Sequence, residues 1–451
     1  MRASVYIETL GCQMNVADSE RAATRLRAAG YDLTDRAETA DVVLFNTCSV
    51  RARAAQKVFT RIIEVRRAHT GGRQPLLGLM GCVAQLEGAS LFDKEPALGL
   101  VAGTRATDRL PALIESALGG EARTLDLGER AEGDAWDVSL TERHSPFVAF
   151  VPIIEGCNKF CSYCIVPFSR GRERSRSAEE IVREVQGLRA EGYREVQLIG
   201  QNVNSYRPKT EDGLKDFRGA TPFSRLLRAV AATGLERIKF TTSFPRDFHT
   251  DIVAALDEHE NLCDWVHLPV QSGSNRVLKA MRRGYKVADY LKRVEAIRNA
   301  RRRLALTSDV IVGFPGETAE EFEETLSLVE QCQYDGLYIF KYSERQGTPA
   351  AALADDVSVE EKKTRFLALE RQQRANQTRI YENYVGREVK VLVEGESAKS
   401  EQDMTGHSTC QKVVNFPCDA DLRGRVVNVR ITQAKTNSLY GEMTGEAAHV
   451  S

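Results

Sequence analysis

No apolar run in this sequence approaches the ~18 residues that a helix needs to cross a membrane. The N-terminus, MRASVYIETLGC, also lacks the basic region, long apolar core and small-residue cleavage site of a signal peptide. The net charge of −1 leaves no global excess of either sign that would indicate a class of partner. We therefore expect a cytoplasmic protein of about three domains, whose ten cysteines serve metal binding or catalysis and not disulfides.

Three of the cysteines stand at the spacing CxxxCxxC in EGCNKFCSYC, residues 155–164, with no fourth ligand nearby. A closed zinc site needs four Cys or His ligands, and His144 is separated from Cys157 by a predicted strand. Thiolates that arrive in a closely spaced run are typical of iron–sulfur clusters. The motif therefore favours a cluster with one open iron, held by Cys157, Cys161 and Cys164, over a zinc site.

Three short apolar strand patterns near the N-terminus each run into a cysteine and then into a helix pattern. They are SVYIETLGC ending at Cys12, DVVLFNTC ending at Cys48 and PLLGLMGC ending at Cys82. Strands that alternate with helices predict a parallel α/β sheet, whose ligands bind beyond the carboxyl ends of the strands. We expect the three thiols to converge there. Three separate core thiols are the alternative, because cysteine also packs as a small hydrophobic residue.

The rest of the chain predicts a linker, an α/β barrel and a small β domain. After the N-terminal domain, 1–120, the polar residues 121–145 lose periodicity and predict the linker. The six candidate strands that follow are 147–154, 195–199, 237–242, 264–270, 305–312 and 336–342. Separated by helical patterns, they predict an open (β/α)6 partial barrel over 146–376 with active groups at the strand carboxyl ends. The tail, 377–447, alternates with period two between glycine-containing turns, which predicts a small all-β domain.

Long motifs spread over the chain resemble one known family, the radical S-adenosylmethionine methylthiotransferases. Those of the N-terminal part are ETLGCQMN, FNTCSVR and GCVAQ; the later ones are CNKFCSYC, LIGQNVNSY, FTTSFPRDF, HLPVQSGSNRVLKAMRRGY and DVIVGFPGET. The resemblance implies two 4Fe–4S clusters. An auxiliary cluster would be held by Cys12, Cys48 and Cys82, and the radical cluster by Cys157, Cys161 and Cys164. It also implies that the tail is an RNA-binding TRAM domain.

The same resemblance implies a reaction that consumes two molecules of S-adenosylmethionine. One methylates sulfur at the auxiliary cluster, and the other yields a 5′-deoxyadenosyl radical that abstracts hydrogen from carbon 2 of an adenine. The expected substrate is N6-dimethylallyladenosine in the anticodon loop of tRNA. A reducing electron donor such as flavodoxin or ferredoxin is the second expected partner, and we expect a monomer without a membrane partner.

Three alternatives to this substrate stay open. The related enzyme for threonylcarbamoyladenosine in tRNA favours GCKVN where this chain has GCQMN. The enzyme that modifies an aspartate of a ribosomal protein tends to GCPKN at the same place. A cluster-binding RNA module without catalysis is the third, but a structural cluster would not need the open iron that CxxxCxxC leaves.

Four residues at predicted strand ends are the candidate contacts to S-adenosylmethionine. They are Gln201, Ser243, Gln271 and Gly313, of which the glycine permits a close backbone approach. The alternative for each polar residue is that it only orders its loop.

Two basic stretches predict contacts to RNA phosphates. Residues 276–303 contain 11 Lys or Arg against two acids, and residues 51–73 contain seven against Glu64 alone. The tail departs from the family pattern at STCQK, residues 408–412, so we assign no RNA contact to that segment.

Overall fold

The computed structural model describes residues 3–49, 52–69, 74–121, 123–128 and 142–446. The chain divides into two compact units that interleave along the sequence. The first unit comprises residues 1–145, 155–158 and 165–173, and the second comprises 146–154, 159–164 and 174–451. No helix in the described part is both long and apolar enough to span a membrane.

The first unit contains a six-stranded parallel sheet. Its strands are β1 (Ser4–Leu10), β2 (Asp32–Leu33), β3 (Val42–Thr47), β4 (Leu76–Gly81), β5 (Leu98–Ala102) and β6 (Thr124–Asp126), in the order β2-β1-β3-β4-β5-β6. Its helices are α1 (Gln13–Ala28), α2 (Ala52–Ala68), α3 (Cys82–Glu87), α4 (Ser90–Lys94) and α5 (Leu110–Leu118). Successive side chains of a strand point to opposite faces, so Leu44 and Phe45 of β3 enter two different apolar clusters. The sheet is therefore covered on both faces, as parallel sheets usually are.

The predicted linker begins later than the sequence suggests. Residues 124–126 form the edge strand β6, whose backbone pairs in parallel with residues 100–102 of β5. Three residues are too few to show a hydrophobic period, so this strand leaves no signal in the sequence. Residues 129–141 of the predicted linker lie outside the described residues.

The central part of the chain contains the predicted series of parallel strands. Its strands are β7 (Val148–Pro152), β8 (Ile154–Glu155), β9 (Arg174–Ser175), β10 (Glu195–Ile199), β11 (Arg237–Phe240), β12 (Trp265–His267), β13 (Ala305–Val312) and β14 (Gly336–Lys341). Its helices are α6 (Val166–Arg170), α7 (Ala178–Ala190), α8 (Pro222–Ala231), α9 (Thr250–Glu258), α10 (Asn275–Ala280), α11 (Val287–Arg298), α12 (Ala319–Cys332) and α13 (Val359–Glu382).

Six of these strands match the six predicted ones. They form two three-stranded parallel sheets, ordered β11-β10-β7 and β12-β13-β14, and a parallel bridge joins Ile238 of β11 to Leu262 just before β12. Apolar residues on one face of the strands, such as Val196 and Val310, pack in one buried cluster with apolar residues of the surrounding helices. The carboxyl ends of all six strands point the same way within each sheet, because every pairing is parallel.

The tail folds into the predicted all-β domain, a closed barrel. Its strands are β15 (Glu388–Ser397), β16 (Ser400–Ser408), β17 (Val413–Pro417), β18 (Val426–Ala434) and β19 (Leu439–Glu446). Its core is continuous with the rest of the second unit, because Trp265 of β12 and Ala305 of β13 belong to the same buried cluster as Val391 and Phe416. The β barrel is therefore packed onto the strands and is not a loosely tethered module.

Candidate active site and cofactor-binding residues

The three cysteines of the first unit follow three neighbouring strands. Cys12 comes two residues after β1, Cys48 directly follows β3, and Cys82 directly follows β4 and begins α3. These strands are adjacent and parallel, so their carboxyl ends lie on one edge of the sheet. The Cys12 and Cys48 thiols are in hydrogen-bonding contact. This contact makes the pKa of Cys12 fall to about 5, with burial opposing the change and the charge of Arg170 assisting it.

Two buried asparagines connect the segments that carry Cys12 and Cys48. Cys12 Sγ lies 3.1 Å from Asn15 Oδ1, and Asn15 Nδ2 donates to Asn46 Oδ1 at 2.8 Å. Asn46 Nδ2 returns a hydrogen bond to the Asn15 carbonyl at 2.8 Å. Both asparagines are 0% exposed, and buried polar groups of this kind are costly unless they are hydrogen-bonded. The pair therefore fixes the spacing between the two strand ends.

Gly81 brings the third cysteine to the same network. Its φ of 93° lies in the left-handed region that favours glycine, and a Cβ there would lie 2.3 Å from Asn46 Oδ1 and 2.9 Å from the Thr47 carbonyl. The absence of a side chain lets the end of β4 approach β3 directly before Cys82.

Arg170 of α6 supplies a buried positive charge beside these thiols. It is 5% exposed, and its Nη2 lies 2.7 Å from Asp18 Oδ2 while Nη1 lies 3.5 Å from Glu155 Oε1. Burial raises the pKa of Cys82, and the Arg170 charge opposes that rise. The guanidinium thus offsets negative charge that thiolate ligands would place in this region.

The residues present fit an iron–sulfur cluster better than a single metal ion. Every cysteine of the chain is a thiol, and Cys48 and Cys82 are buried. Within the described residues, no three Cys, His or acidic side chains meet closely enough to hold one ion. A cluster binds its cysteines at separate irons and does not require them to share one. His144, the distant zinc-ligand candidate, lies with Nδ1 2.5 Å from Glu20 Oε1.

The CxxxCxxC motif crosses the division between the two units. In the first unit the Cys157 amide donates to the Gly171 carbonyl at 3.1 Å. In the second unit the Cys164 amide donates to the Cys161 carbonyl at 3.0 Å, which closes a tight turn. The geometry of the three-cysteine set as a cluster ligand therefore stays a prediction from the spacing.

The segment that carries Cys161 and Cys164 is anchored by the motif HLPVQSGSNRVLKAMRRGY. Ser162 donates its amide hydrogen to the Met281 carbonyl at 3.0 Å and its hydroxyl hydrogen to the Ala280 carbonyl at 2.8 Å. Arg283 places Nη1 3.4 Å from Cys161 Sγ and 3.4 Å from the Tyr163 hydroxyl. This long motif therefore serves to hold the cysteine loop.

Two further motifs hold each other and the start of the same loop. Asn204 of GQNVNSY donates to the Phe244 carbonyl at 2.9 Å and accepts from the Phe244 amide at 2.8 Å. Asp247 accepts a hydrogen bond from Ser205 at 2.8 Å and forms an ion pair with Lys159, which lies between the first two cysteines. The loops after β10 and β11 are thus fixed relative to the segment 159–164.

The four predicted contacts to S-adenosylmethionine all lie just after strand carboxyl ends. Gln201 follows β10 and is half-buried, and Ser243 follows β11 and is 1% exposed. The Ser243 hydroxyl is buried and has no hydrogen-bonding partner within the described chain, as expected of a group that awaits a ligand. Gln271 has a φ of 78°, a strained conformation for a non-glycine residue, and such residues cluster at active sites and ligand-binding segments. Contacts of these residues to the cofactor stay predictions.

Gly313 has a structural explanation that requires no ligand. Its φ is 69°, and a Cβ there would lie 2.3 Å from Cγ of Lys362 on α13. The close approach that this glycine permits is therefore to the Lys362 side chain, and the Gly313 amide donates to Glu317 Oε2 at 2.6 Å.

The basic stretch 276–303 is only partly available to a nucleic acid. Several of its arginines pair with acids of the same unit: Arg276 with Glu321, Arg298 and Arg303 with Asp335, and Arg302 with Asp264. Lys279, Arg282, Lys286 and Lys292 are exposed. In the stretch 51–73, Arg61 pairs with Glu8 at 3.0 Å, and residues 51 and 70–73 lie outside the described residues. The candidate phosphate-binding surface is thus smaller than the sequence count indicates.

The β barrel of the tail carries a polar surface pocket of about 600 Å³. Its lining includes the exposed Lys399 and Lys435 together with Asn437 and Tyr440. Cations beside an aromatic ring and amide groups are the side chains that bind phosphates and bases of RNA. This pocket is the candidate nucleic-acid interface of the domain.

The departing segment 408–412 contacts the strands of the second unit. Thr409 Oγ1 donates to Asp264 Oδ2 at 2.6 Å, and Lys412 Nζ lies 2.8 Å from Asp335 Oδ1. Asp264 and Asp335 directly precede β12 and β14, so this segment, which we call the docking loop, covers amino ends of the strands. Its sequence is therefore constrained by packing within the chain.

Sequence reasoning missed Asn15, Asn46, Arg170 and Arg283 as residues of the candidate sites. The two asparagines were present in the motifs GCQMN and FNTC, each at a short fixed distance from a cysteine, and that spacing was the available signal. The two arginines gave no such signal, because each lies far along the chain from the cysteine that it approaches. Arg170 is 88 positions from Cys82, and Arg283 is 122 positions from Cys161.

Comparison with known proteins covers all three parts of the chain. Three family models match the chain. They are the radical SAM superfamily over residues 151–329, the uncharacterized protein family UPF0004 over 4–103 and the TRAM domain over 382–444. The chain is 45% identical over 442 residues to the tRNA-2-methylthio-N(6)-dimethylallyladenosine synthase of Solibacter usitatus, with 97% of each chain covered. Proteins of the same name from Geobacter sulfurreducens and Koribacter versatilis are 45% and 43% identical, with 97% and 98% of each chain covered.

Solved structures support the same fold. The radical S-adenosylmethionine methyltransferase TsrM from Kitasatospora setae has a TM-score of 0.56 at 15% identity, covering 78% of this chain and 77% of that one. At this identity the likeness concerns the fold alone. Sequence identity over nearly the full length decides the family: the chain belongs to the tRNA-2-methylthio-N6-dimethylallyladenosine synthases, a group of radical S-adenosylmethionine enzymes.

Proposed function

We propose that this protein attaches a methylthio group to carbon 2 of N6-dimethylallyladenosine in the anticodon loop of tRNA. The observation that carries the proposal is the presence of two separate cysteine sets. Cys12, Cys48 and Cys82 follow three adjacent strands of one sheet, whereas the CxxxCxxC motif follows the first strand of another series. The names of relatives that match over nearly the whole length support the same substrate.

Cys12, Cys48 and Cys82 would hold an auxiliary 4Fe–4S cluster, and Cys157, Cys161 and Cys164 would hold the radical cluster. With S-adenosylmethionine bound, these groups would supply one-electron reductive cleavage of S-adenosylmethionine, hydrogen abstraction from an unreactive C–H bond and the sulfur for transfer. The chain's own residues fix the geometry: Asn15 and Asn46 space the first set, and Ser162 and Lys159 anchor the loop of the second.

Ser243 and Gln271, with Gln201, would orient the methionine and ribose parts of S-adenosylmethionine. The buried Ser243 hydroxyl would donate to an acceptor of the cofactor, since nothing in the described chain accepts its hydrogen. Gly313, which also lets Lys362 pack against the end of β13, would let the cofactor approach the backbone closely. A reducing donor such as flavodoxin or ferredoxin would supply electrons to a monomeric enzyme that works in the cytoplasm.

Separate variants of the two cysteine sets test this proposal. In reconstituted protein, Cys161→Ala should abolish release of 5′-deoxyadenosine. Cys48→Ala should retain that release, lose the methylthio product and carry about four fewer irons per chain, the content of one cubane cluster. Cys418→Ala, outside both sets, is the matched control and should behave as the parent. Iron content unchanged by Cys48→Ala would refute the auxiliary cluster.

Nucleoside analysis separates the substrate alternatives. Mass spectrometry of tRNA from a deletion strain should show loss of the 2-methylthio group from the dimethylallyl nucleoside, with restoration by the parent gene and not by the Cys161→Ala gene. Loss from the threonylcarbamoyl nucleoside, or from a ribosomal-protein aspartate, would assign one of the related activities instead. Unchanged nucleosides and an unchanged ribosomal protein would leave a non-catalytic RNA-binding module.

A further inference from the structure

Arg283 is a buried cation that has no carboxylate partner among the described residues. It is 5% exposed, and no carboxylate of the described chain forms an ion pair with it. Its Nη2 donates to the Pro269 carbonyl at 2.9 Å and its Nε donates to the Tyr285 hydroxyl at 3.1 Å. The remaining Nη1 is directed at Cys161 Sγ, at 3.4 Å. Other buried arginines of the second unit differ: Arg228 pairs with Asp251 and Glu258, and Arg237 pairs with Glu195.

An isolated charge in this position is expensive to bury. Neutral carbonyl and hydroxyl oxygens satisfy the hydrogens of the guanidinium, but they do not neutralise its charge. The Phe244 ring, 4.4 Å from the Arg283 Cζ, and the Tyr285 ring, at 5.5 Å, contribute attraction to a cation. The Tyr163 and Tyr285 hydroxyls that accept from Arg283 are phenols, which ordinarily titrate near pH 10, so among the acceptors in the described chain the sulfur of Cys161 is the one that would carry a full negative charge. As a cluster ligand, that sulfur would be a thiolate.

We propose that Arg283 donates a hydrogen bond to the Cys161 sulfur and thereby sets the reduction potential of the radical cluster. The inference rests on the proposed ligand role of Cys161. Hydrogen bonds to the sulfurs and nearby charge are among the factors that fix the potential of such clusters. A positive charge favours the state with one more electron, so Arg283 makes the cluster easier to reduce. It is a positioning residue, since it acts through a ligand and not on the substrate.

Several neighbouring groups fix the position of the Arg283 side chain. Pro269 lies two residues before Gln271 and fixes one nitrogen of the fork, while Tyr285 fixes Nε. Tyr163, between Cys161 and Cys164, accepts a hydrogen bond from the same Nη1 at 3.4 Å. A lysine would keep the charge but could not satisfy three directions at once.

A purely structural role would have different consequences. If Arg283 only tied Pro269 and Tyr285 together, its loss would lower stability and leave the potential of a correctly assembled cluster unchanged. The potential is therefore the decisive measurement. It can be read without S-adenosylmethionine, tRNA or turnover.

The experiment uses the full-length chain with Cys12, Cys48 and Cys82 replaced by alanine, so that one cluster gives the signal. In this background the variants Arg283→Gln and Arg283→Lys are compared with Arg282→Gln, which removes the same charge from the exposed neighbouring residue. Iron content and visible absorbance first establish that each protein carries one cluster. Midpoint potentials are then measured by redox titration followed by electron paramagnetic resonance.

We expect Arg283→Gln to make reduction about tenfold less favourable, equivalent to about 59 mV more negative for one electron. Arg282→Gln should leave the potential at the parental value. Equal potentials in the parent and Arg283→Gln, with equal iron content, would overturn the inference.

If Arg283→Gln does not take up the cluster, the midpoint potential of Arg283→Lys tests the inference instead. Its charge is retained but the hydrogen bond to sulfur is displaced, so a smaller negative shift supports the inference and a parental potential overturns it. A parent background that takes up no cluster would instead refute the proposed ligand role of Cys161, which is a separate failure.

Discussion

The side-chain amide of Asn15 donates a hydrogen bond to Asn46 Oδ1 at 2.8 Å and so joins the segment after β1 to the end of β3. Asn15 lies three positions after Cys12, and Asn46 lies two positions before Cys48. Both asparagines are fully buried. A second hydrogen bond, from Asn46 Nδ2 to the Asn15 carbonyl at 2.8 Å, makes the connection reciprocal. The polar pair therefore determines where two of the three thiols lie.

Replacing Asn46 should impair both folding and assembly of the proposed auxiliary cluster. Asn46→Leu keeps a similar volume but removes the hydrogen bonds of Asn46 with Asn15 and Ser19, and the loss of such a buried polar partner costs about 1–3 kcal/mol. The free energy of unfolding from urea titration should fall by that amount, and iron per chain should decrease towards the content of one cluster. Asn299→Leu, at an exposed asparagine of the second unit, is the control and should change neither quantity. A fully loaded, equally stable Asn46→Leu protein would contradict the role of the pair.

Most of the strands could be predicted because they carry their own apolar pattern. The six central strands and the all-β nature of the tail follow from period and turn residues, whereas the order of the strands in each sheet comes from the structure. The positions of Cys12, Cys48 and Cys82 after neighbouring strands follow from the general topology of parallel sheets. Strand β6 could not be predicted, because the backbone pairing of Thr124–Asp126 requires no hydrophobic pattern.

Contacts between distant segments could not be predicted from one sequence. Arg170 meets Asp18, and Lys412 meets Asp335, and neither pair has a local pattern that couples its members. The count of basic residues in 276–303 likewise overstated the free positive charge, because arginines such as Arg302 are paired with acids from elsewhere in the chain. Pairing of this kind depends on the three-dimensional neighbours, which composition does not reveal.

Glu321 should make the stability of the second unit depend on acid pH. Its hydrogen bond from Arg276, at 2.6 Å, lowers its pKa to about 2, with burial opposing the change. A carboxylate whose pKa is depressed by folding stabilises fully above its unfolded pKa, about 4.3, and progressively loses that contribution as the pH falls towards the folded value. The same carboxylate accepts from Ser274 at 3.0 Å, three residues after Gln271, so the effect reaches a candidate cofactor loop.

Glu321→Gln should therefore be less stable than the parent at pH 7, and the difference should shrink as the pH falls below about 4.5. Thermal unfolding midpoints of the two proteins across a pH series would measure this. Glu323→Gln removes one charge from the exposed side of the same helix and serves as the control for net charge. A difference between Glu321→Gln and parent that grows on acidification would show that the sign is wrong.

Lys412 should be required for docking of the β barrel. Its Nζ lies 2.8 Å from Asp335 Oδ1, and both side chains are at most 3% exposed. Removing one partner of a buried ion pair typically costs about 3–5 kcal/mol; Asp335 keeps contacts to Arg298 and Arg303, so we expect about 3 kcal/mol for Lys412→Ala.

Trp265 offers a direct signal for this docking, because it lies in the buried cluster shared with the β barrel. In a Trp136→Phe background its fluorescence reports on that cluster alone. Lys412→Ala should lower the denaturant midpoint of the Trp265 signal, and the double variant with Asp335→Asn should cost less than the sum of the single variants. Additive effects would indicate that the ion pair contributes no coupling.

Variants of the polar pocket and of the docking loop should differ in how the RNA affinity depends on salt. Lys399 and Lys435 are exposed at the pocket, whereas Lys412 is buried against Asp335 and cannot release counterions from RNA. Each lysine that neutralises a phosphate adds about 0.7–0.9 to the slope of log affinity against log salt. Lys399→Ala combined with Lys435→Ala should therefore flatten that slope by up to about 1.4–1.8. Point variants are preferable to truncation, because removal of the tail would expose Trp265 and Ala305.

Fluorescence anisotropy with an anticodon stem-loop that bears dimethylallyladenosine would measure these slopes across a salt series. Lys412→Ala should bind with the parental slope even if its affinity falls, since it loses docking and not a phosphate contact. Lys390→Ala, a charge removal on β15 away from the pocket lining, is the matched control. A parental slope in the Lys399 and Lys435 double variant would exclude the pocket as a phosphate-binding surface. A flattened slope in Lys412→Ala would show that the docking loop contacts RNA phosphates.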